Sequence, residues 1–378
     1  MRILVAGDYC PRDRVVRKIR SGDTADMLAS VKETIAAVDY ALVNFECAVV
    51  DVDAKPIKKC GPNLKCQPEA VKVLKDAGFH CLTLANNHFR DYGDVGVLSS
   101  LRYFKENGLD YVGGGENIVA AEAVLYKKFG DEVLAIVNVC ETEFSIASPQ
   151  RAGSAPLDVV KVYHRIVDAH KQSDYVLVII HGGHEHFQLP SPRMKELYRF
   201  FIEVGADAVV NHHQHCYSGY EEFMGKPIIY GLGNFLFDHP KKRGCIWNEG
   251  YLAMIEFSTK RVSFTPVPYI QCDEKAIVKL LRGERLQIFE QLFASINDAI
   301  TDDRLFEDKW NEYVRKRSQT IITPFTPYNN EYVRAAVGRH WIPYCIPRKK
   351  MAEMLNYIIC EAHRDLLTIA MQDKLEDK

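Results

Sequence analysis

The sequence predicts an α/β fold, and three observations predict it. Apolar runs of strand length alternate with amphipathic stretches of helix length from residue 1 to residue 215. The amphipathic stretches carry recognisable start and stop residues. The longest apolar runs, such as 176–180, are strand-sized and far short of a membrane span. The expected strands cover 2–6, 39–45, 80–85, 132–139, 174–180 and 207–211. The first helix is expected behind Asp23 as N-cap and through Ala36. The next opens at Pro68, whose fixed φ suits a first helical turn, and stops at Gly78. A third runs over 94–107 and closes at Gly108, and 157–172 and 192–204 complete the set. Strands alternating with helices imply βαβ units and largely parallel pairing.

After Tyr217 the pattern changes. Segments 220–223, 227–230, 250–257 and 261–267 read as strands joined by tight turns, which predicts an antiparallel region. From Cys272 onward the chain is expected to be mostly helical, over 274–300, 303–317 and 349–375. Between those helices 321–327 is expected to be extended, and the aromatic segment 341–344 to anchor the tail by packing. The expected division is a main domain over 1–268 and a helical extension over 269–378 that serves as lid, dimerisation element or packing.

Bulk composition narrows the function classes. Of 378 residues, 47% are apolar and 26% charged, as in a soluble globular protein. With 48 basic residues against 50 acidic ones, the chain lacks the footprint of a nucleic-acid binder or of a protein drawn to anionic membrane. Asp8 interrupts the first apolar run too early for a secretory leader. The eleven cysteines are scattered and never form Cys-x-x-Cys, which reads as reduced thiols. A cytoplasmic location with no membrane span is the expectation.

The chemistry sits at the carboxyl ends of strands, where open α/β sheets bind ligands. Five expected strands end in metal-competent side chains: Asp8; Asn44 and Glu46; Asn86, Asn87 and His88 with Asp91; His181 with His184, Glu185 and His186; and His212, His213 and His215. Mixed carboxylate, amide and imidazole donors without a cysteine cluster suit Mn, Fe or Zn better than calcium or a structural zinc. More donors are present than one tetrahedral ion needs, so two divalent ions with a bridging carboxylate are the simpler expectation. An imidazole oriented by a carboxylate could then protonate a leaving group. No His-Glu-x-x-His helix and no phosphate-binding Gly-Lys-Ser/Thr loop occurs, which leaves zincin and ATP-dependent ligase readings unsupported.

In order along the chain stand Gly7-Asp8, Asn44-Phe45-Glu46, Ala85-Asn86-Asn87-His88 with Asp91-Tyr92-Gly93, His181-Gly182-Gly183-His184-Glu185, His212-His213-Gln214-His215, and the run from Tyr230 to Asp238. This series resembles the bacterial capsule-synthesis protein CapA family, associated with poly-γ-glutamate, which is itself similar to the calcineurin-like metallophosphoesterases. The likeness covers about residues 1–268. It implies a sandwich of two mixed β-sheets flanked by helices, with a dinuclear site at one edge. It further implies Asp8, Glu46, Asn87, His181, His213 and His215 as metal ligands, with Glu46 bridging. His88 would be the catalytic histidine and Asp91 the partner that fixes its tautomer.

Within these motifs Asn86 is expected to form an Asx turn. His213 and His215 share a side of an extended segment, so His212 is expected to face away. Asn44, Glu185 and Asn234 are the expected substrate contacts; for Asn234 and Asp238 a structural role is at least as well supported. His184 and His186 read as loop residues, and His80, His164, His170, His239, His340 and His363 as ordinary histidines. Cys10 stands where the superfamily's opening Asp-x-His has its histidine, and is expected to be a small buried apolar residue rather than a thiolate ligand. The function expected from this resemblance is a dinuclear hydrolase in which a metal-bridged hydroxide attacks a phosphoester or a γ-glutamyl amide. The alternative is a metal-stabilised binding or scaffold component of a polymer-synthesis complex. The expected partner is a small-molecule or polymer substrate and not nucleic acid; a homo-oligomer is left open.

Overall fold

A computed structural model describes residues 1–259, 261–322, 330–339, 341–342, 346–359, 363–364, 367–368 and 371. The chain divides into two compact units, Met1–Phe306 and Glu307–Lys378. The first unit is a layered sandwich. Its first sheet runs in the order Val278–Leu280, Arg261–Gln271, Glu249–Ser258, Arg2–Tyr9, Tyr40–Phe45, Cys81–Thr83, Asp110–Val112, with Asn234–Leu236 paired to Arg2–Tyr9 as well. Its second runs Tyr220–Phe223, Lys226–Ile229, Ala208–His212, Tyr175–His181, Glu132–Cys140, Leu125–Phe129. Both sheets are mixed: the first is antiparallel on one side of Arg2–Tyr9 and parallel from there to its other edge, and the second is parallel at its centre with an antiparallel pair at each edge.

The period-2 alternation of a strand explains the layers. Ile3 and Val5 face a core shared with Leu42, Ile136, Leu177, Ile179, Val210 and Tyr251, so residues of both sheets meet there. Leu4, Ala6 and Val43 turn the other way, onto a core with Val15, Ile19, Val71, Leu74 and Phe104 from helices Asp13–Ser21, Glu69–Ala77 and Gly93–Glu106. Helices Val159–His170 and Pro192–Glu203 cover the outer face of the second sheet through Val162, Ile166, Met194 and Phe201. Burial on both faces is why these strands read as continuous apolar runs.

All six expected strands and four of the five expected helices of the first 215 residues are present, with shifted ends. The helix expected behind Asp23 is not. The helical segment is Asp13–Ser21, ended by Gly22 in the left-handed conformation (φ 75°), and only Ala29–Val31 and Lys32–Ala36 are helical beyond it. Asp23 pairs with Lys18 (3.2 Å) instead of capping. Val15 and Ile19, one turn apart, are the buried residues of Asp13–Ser21, and its charged neighbours mask that stripe in the sequence.

The expected antiparallel region is not a separate one. Tyr220–Phe223 and Lys226–Ile229 extend the second sheet, whereas Glu249–Ser258 and Arg261–Gln271 extend the first. The helix expected over 274–300 is also corrected: Val278–Leu280 pairs with Arg261–Gln271, and the helix is Glu284–Thr301, behind Gly283 at φ 59°. Lys195 fixes the end of that helix by donating to the Ile300 carbonyl at 2.7 Å and pairing with Asp303 at 3.1 Å. The second unit carries helices Glu331–Gly338 and Arg348–Ile359. Of the expected extended stretch, 321–322 are helical and 323–327 lie outside the described residues, as does part of the expected helix 349–375. Of the aromatic segment 341–344 expected as a packing anchor, Trp341 is exposed and 343–344 lie outside the described residues. Among the described residues no helix is long and apolar enough to cross a membrane.

Candidate metal centre

The carboxyl ends of parallel strands from both sheets converge at one edge. From the first sheet come Asp8, near the end of Arg2–Tyr9, Asn44 and Glu46 at the end of Tyr40–Phe45, and Asn87 and His88 after Cys81–Thr83. From the second come His181 and His212, each the last residue of its strand, then His213 and His215. Asp8 lies inside its strand, at a register shift that Gly7 makes passable. A Cβ on Gly7 would sit 1.9 Å from the Gly233 carbonyl oxygen, which accepts a hydrogen bond from the Asp8 N–H at 3.1 Å.

Two donor groups form at this edge, Glu46–His181–His213 and Asp8–Glu46–His215, each with its ligand atoms within 4.8 Å of one another. Glu46 belongs to both. Its Oε1 lies 3.6 Å from His181 Nε2 and 3.8 Å from His215 Nε2, too long for hydrogen bonds but close enough to surround a common ion. Both carboxylate oxygens of Glu46 are buried without a hydrogen-bond partner. Leaving such a group unpaired is costly, and a cation would satisfy it. The donor set therefore fits divalent metal ions. Asn87 adds an amide oxygen 3.1 Å from His181 Nε2, and His213 Nδ1 lies 3.0 Å from that same nitrogen.

The electrostatics match this reading. Burial opposes ionisation of Asp8, but His212 and His215 outweigh it and hold the carboxyl well below its usual range. For Glu46, burial and then the nearby Asp8 push the carboxyl well above it. Burial, reinforced by His213, keeps His181 far below the ordinary imidazole value, and burial with His215 lowers His213. Neutral imidazoles and crowded carboxylates are what cations relieve.

His88 stands outside both groups, with Nδ1 2.7 Å from Asp91 Oδ2. Burial lowers its pKa against the opposing pull of Asp91. Asn86 Oδ1 accepts from the His88 N–H at 3.1 Å, an Asx turn that leaves Asn87 as the other member of the pair. Asn44 and Asn234, expected at the substrate, have buried amides engaged elsewhere. Asn44 Nδ2 donates to Asp8 Oδ1 at 2.8 Å and lies 3.2 Å from His181 Nδ1; Asn234 Oδ1 lies 2.9 Å from His215 Nδ1. Glu185 is partly exposed, and its carboxyl is lowered because His215 and His213 outweigh burial. Asp238 serves the fold: Arg14 grips it through Nε and Nη2, both at 2.8 Å.

Three further residues of the site escaped sequence reasoning. His212, expected to face away, has Nδ1 3.3 Å from Asp8 Oδ1. The reason is backbone: His213 and His215 adopt positive φ (96° and 55°), which breaks the strand alternation on which the expectation rested. Lys59 reaches Asp91 from a loop, and only its basic character was visible. Asn211 ties the two histidine loops together, donating to the Gly182 carbonyl at 2.9 Å and Gln214 Oε1 at 3.2 Å. Cys10 is fully buried in the apolar core and belongs to neither donor group.

The two-sheet α/β sandwich with an acid–imidazole centre at one edge defines the class of protein. The family described as bacterial capsule synthesis protein PGA_cap matches residues 2–239, and the chain belongs to that family. It is 36% identical to the capsule biosynthesis protein CapA of Bacillus anthracis over 246 residues, 63% of this chain and 60% of that protein. Identity to the PGA biosynthesis protein CapA of Bacillus subtilis is 34% over 231 residues, 60% of each chain. A probable polyglutamine synthesis accessory protein of Mycobacterium tuberculosis is 27% identical, over 57% of this chain and 59% of its own. The chain thus matches less than two thirds of the length of these relatives. Among solved structures, a novel phosphatase from Mycoplasma pneumoniae superposes with a TM-score of 0.44 at 16% identity, covering 72% of this chain and 95% of the other. A putative 5'-nucleotidase from Staphylococcus aureus superposes with a TM-score of 0.44 at 14% identity, covering 77% and 57%.

Proposed function

We propose that the chain is a dinuclear metal-dependent hydrolase of the metallophosphoesterase type, acting on a phosphoester or a γ-glutamyl amide. The observation that carries this reading is the sharing of Glu46 between two donor groups, with both its carboxylate oxygens buried and unpartnered. Asp8, Glu46 and His215 would hold one ion; Glu46, Asn87, His181 and His213 the other, with Mn, Fe and Zn the metals to test. When bound, such ions supply Lewis acidity to a substrate oxygen and lower the pKa of water.

The chain's own residues do the rest. Asn44 and Asn234 orient Asp8, His181 and His215 from behind, a role we propose in place of substrate contact. Glu185 stands at the half-exposed side and is the substrate contact we retain. Asp91 holds His88 Nδ1, which leaves Nε2 to deliver a proton to the leaving atom. Burial makes the protonated ring a stronger acid. We assign this chemistry to residues 1–268 and a lid, dimerisation or packing role to 269–378. The names of the relatives point to polymer synthesis as the setting, with a glutamyl polymer or its precursor as substrate.

A panel of phosphoesters and γ-glutamyl peptides, assayed under Mn, Fe and Zn, tests the reading. Asp8→Ala and His88→Ala are expected to abolish turnover while the circular dichroism spectrum stays that of the folded protein. Unchanged turnover in both variants contradicts it. A second reading is a metal-stabilised scaffold without turnover. It is favoured by Cys10, a buried core residue at the position where the resemblance implies a histidine. One ion or none per chain, with no turnover on the panel, supports the scaffold.

A further inference from the structure

We infer that Lys59 is a positioning residue: by clamping Asp91 it fixes the tautomer and direction of the His88 ring. Lys59 lies on the segment between Ala48–Val49 and Lys65–Cys66, yet its side chain is only 3% exposed. A buried ammonium is costly unless paired, so its partners matter. Its Nζ lies 2.5 Å from Asp91 Oδ1, 3.1 Å from His88 Nδ1 and 3.5 Å from the Asn87 carbonyl oxygen.

Asp91 is fully buried and held from three directions. Its Oδ2 accepts from the Leu64 N–H at 2.6 Å and faces His88 Nδ1 at 2.7 Å, while Oδ1 faces Lys59. A ring nitrogen 2.7 Å from a carboxylate oxygen requires a proton between them, so Nδ1 carries it. With the proton on Nδ1 that nitrogen cannot accept from Lys59, whose Nζ at 3.1 Å is then a neighbouring charge to the ring and an ion-pair partner to Asp91 Oδ1. The segment that brings it is tied to the same residue, because the Ile57 N–H donates to the Asp91 carbonyl oxygen at 2.9 Å. Lys59, Asp91 and His88 form one triangle, in which the lysine holds the carboxylate by charge and the carboxylate sets the ring.

A merely structural ion pair would hold the loop and leave the ring unaffected. The two are separated by 15N spectra of histidine-labelled full chain loaded with Zn(II), in the wild type, Lys59→Met and Lys59→Arg. The wild type is expected to show His88 in the Nδ1–H form, Lys59→Met a mixture of tautomers, and Lys59→Arg a return toward wild type. A His88 signal in Lys59→Met indistinguishable from wild type overturns the inference. The catalytic consequence rests on the hydrolase reading and is read with bis(p-nitrophenyl) phosphate and Mn(II). There kcat of Lys59→Met should fall about 10–100-fold with KM within about twofold and metal content unchanged. A change confined to KM or to Tm contradicts the positioning role. If the wild type does not turn over this probe, the hydrolase reading fails on it, and the ring signal alone decides the role of Lys59.

Discussion

The two sheets contribute different chemistry to one edge. To the donor groups and their close partners the first supplies Asp8, Asn44, Glu46 and Asn87, carboxylates and amides, with the His88 imidazole standing outside the groups; the second supplies His181, His212, His213 and His215, all imidazoles. Neither half contains a complete donor group, since each group needs Glu46 or Asp8 from one sheet and a histidine from the other. The apolar layer between the sheets, where Ile3, Leu42, Ile179 and Val210 meet, therefore sets the spacing of the donors. In this fold the core between the layers is part of the site's geometry.

The largest expected effect comes from removing the first sheet's side of a donor group. Asp8→Ala should lower turnover on whichever panel substrate is active by at least ~10³, equivalent to about 4 kcal/mol. A loss of less than about tenfold would show that the imidazoles alone sustain the chemistry. Next are two matched core truncations. Ile179→Ala opens a cavity between the sheets, whereas Ile166→Ala opens one under a helix on the outer face. Each should cost about 2–5 kcal/mol in denaturant unfolding. Only Ile179→Ala should also weaken metal affinity, and equal affinity in both variants would break the link between interlayer packing and site.

Smaller still is Asn234→Ala. It removes the partner of His215 Nδ1 and should weaken metal binding about 10–100-fold by titration. The smallest effect is at Asp238, outside the donor groups. Burial raises its carboxyl, but Arg14 outweighs this and holds it below the ordinary value. A depressed folded-state pKa means the stabilisation is full above the unfolded value of about 3.9 and lost as pH falls through the folded value. Asp238→Asn should therefore flatten the acid limb of the stability curve while leaving metal content unchanged. A wild-type acid limb in that variant would contradict the assignment.

What was legible in the sequence follows from the same contrast. Polar residues at the ends of strand-length apolar runs are a local signal, and it located every member of the two donor groups. His212 was missed because alternation assumes extended backbone, and the positive φ of His213 turns the chain. For Asn44 and Asn234 composition reads a substrate contact and a partner of the ligands alike, and only the structure shows Asn44 Nδ2 on Asp8 and Asn234 Oδ1 beside His215 Nδ1. Lys59 was invisible for a related reason: a lysine in a polar loop carries no sign that the loop folds inward. The closing of two sheets over one core was not legible from periodicity, since strands buried on both faces read alike in one sheet or two. That expectation came through the family likeness alone. The hairpins of 220–229 and 249–271 show the cost, since adjacent segments of similar pattern join different sheets.

The most direct test is elemental analysis of the purified full chain beside its Glu46→Gln and His181→Ala variants. A bridging Glu46 predicts two divalent ions per chain in the wild type, one in His181→Ala and close to none in Glu46→Gln, each protein remaining folded. One ion or none in the wild type, or two retained in Glu46→Gln, would contradict the dinuclear centre.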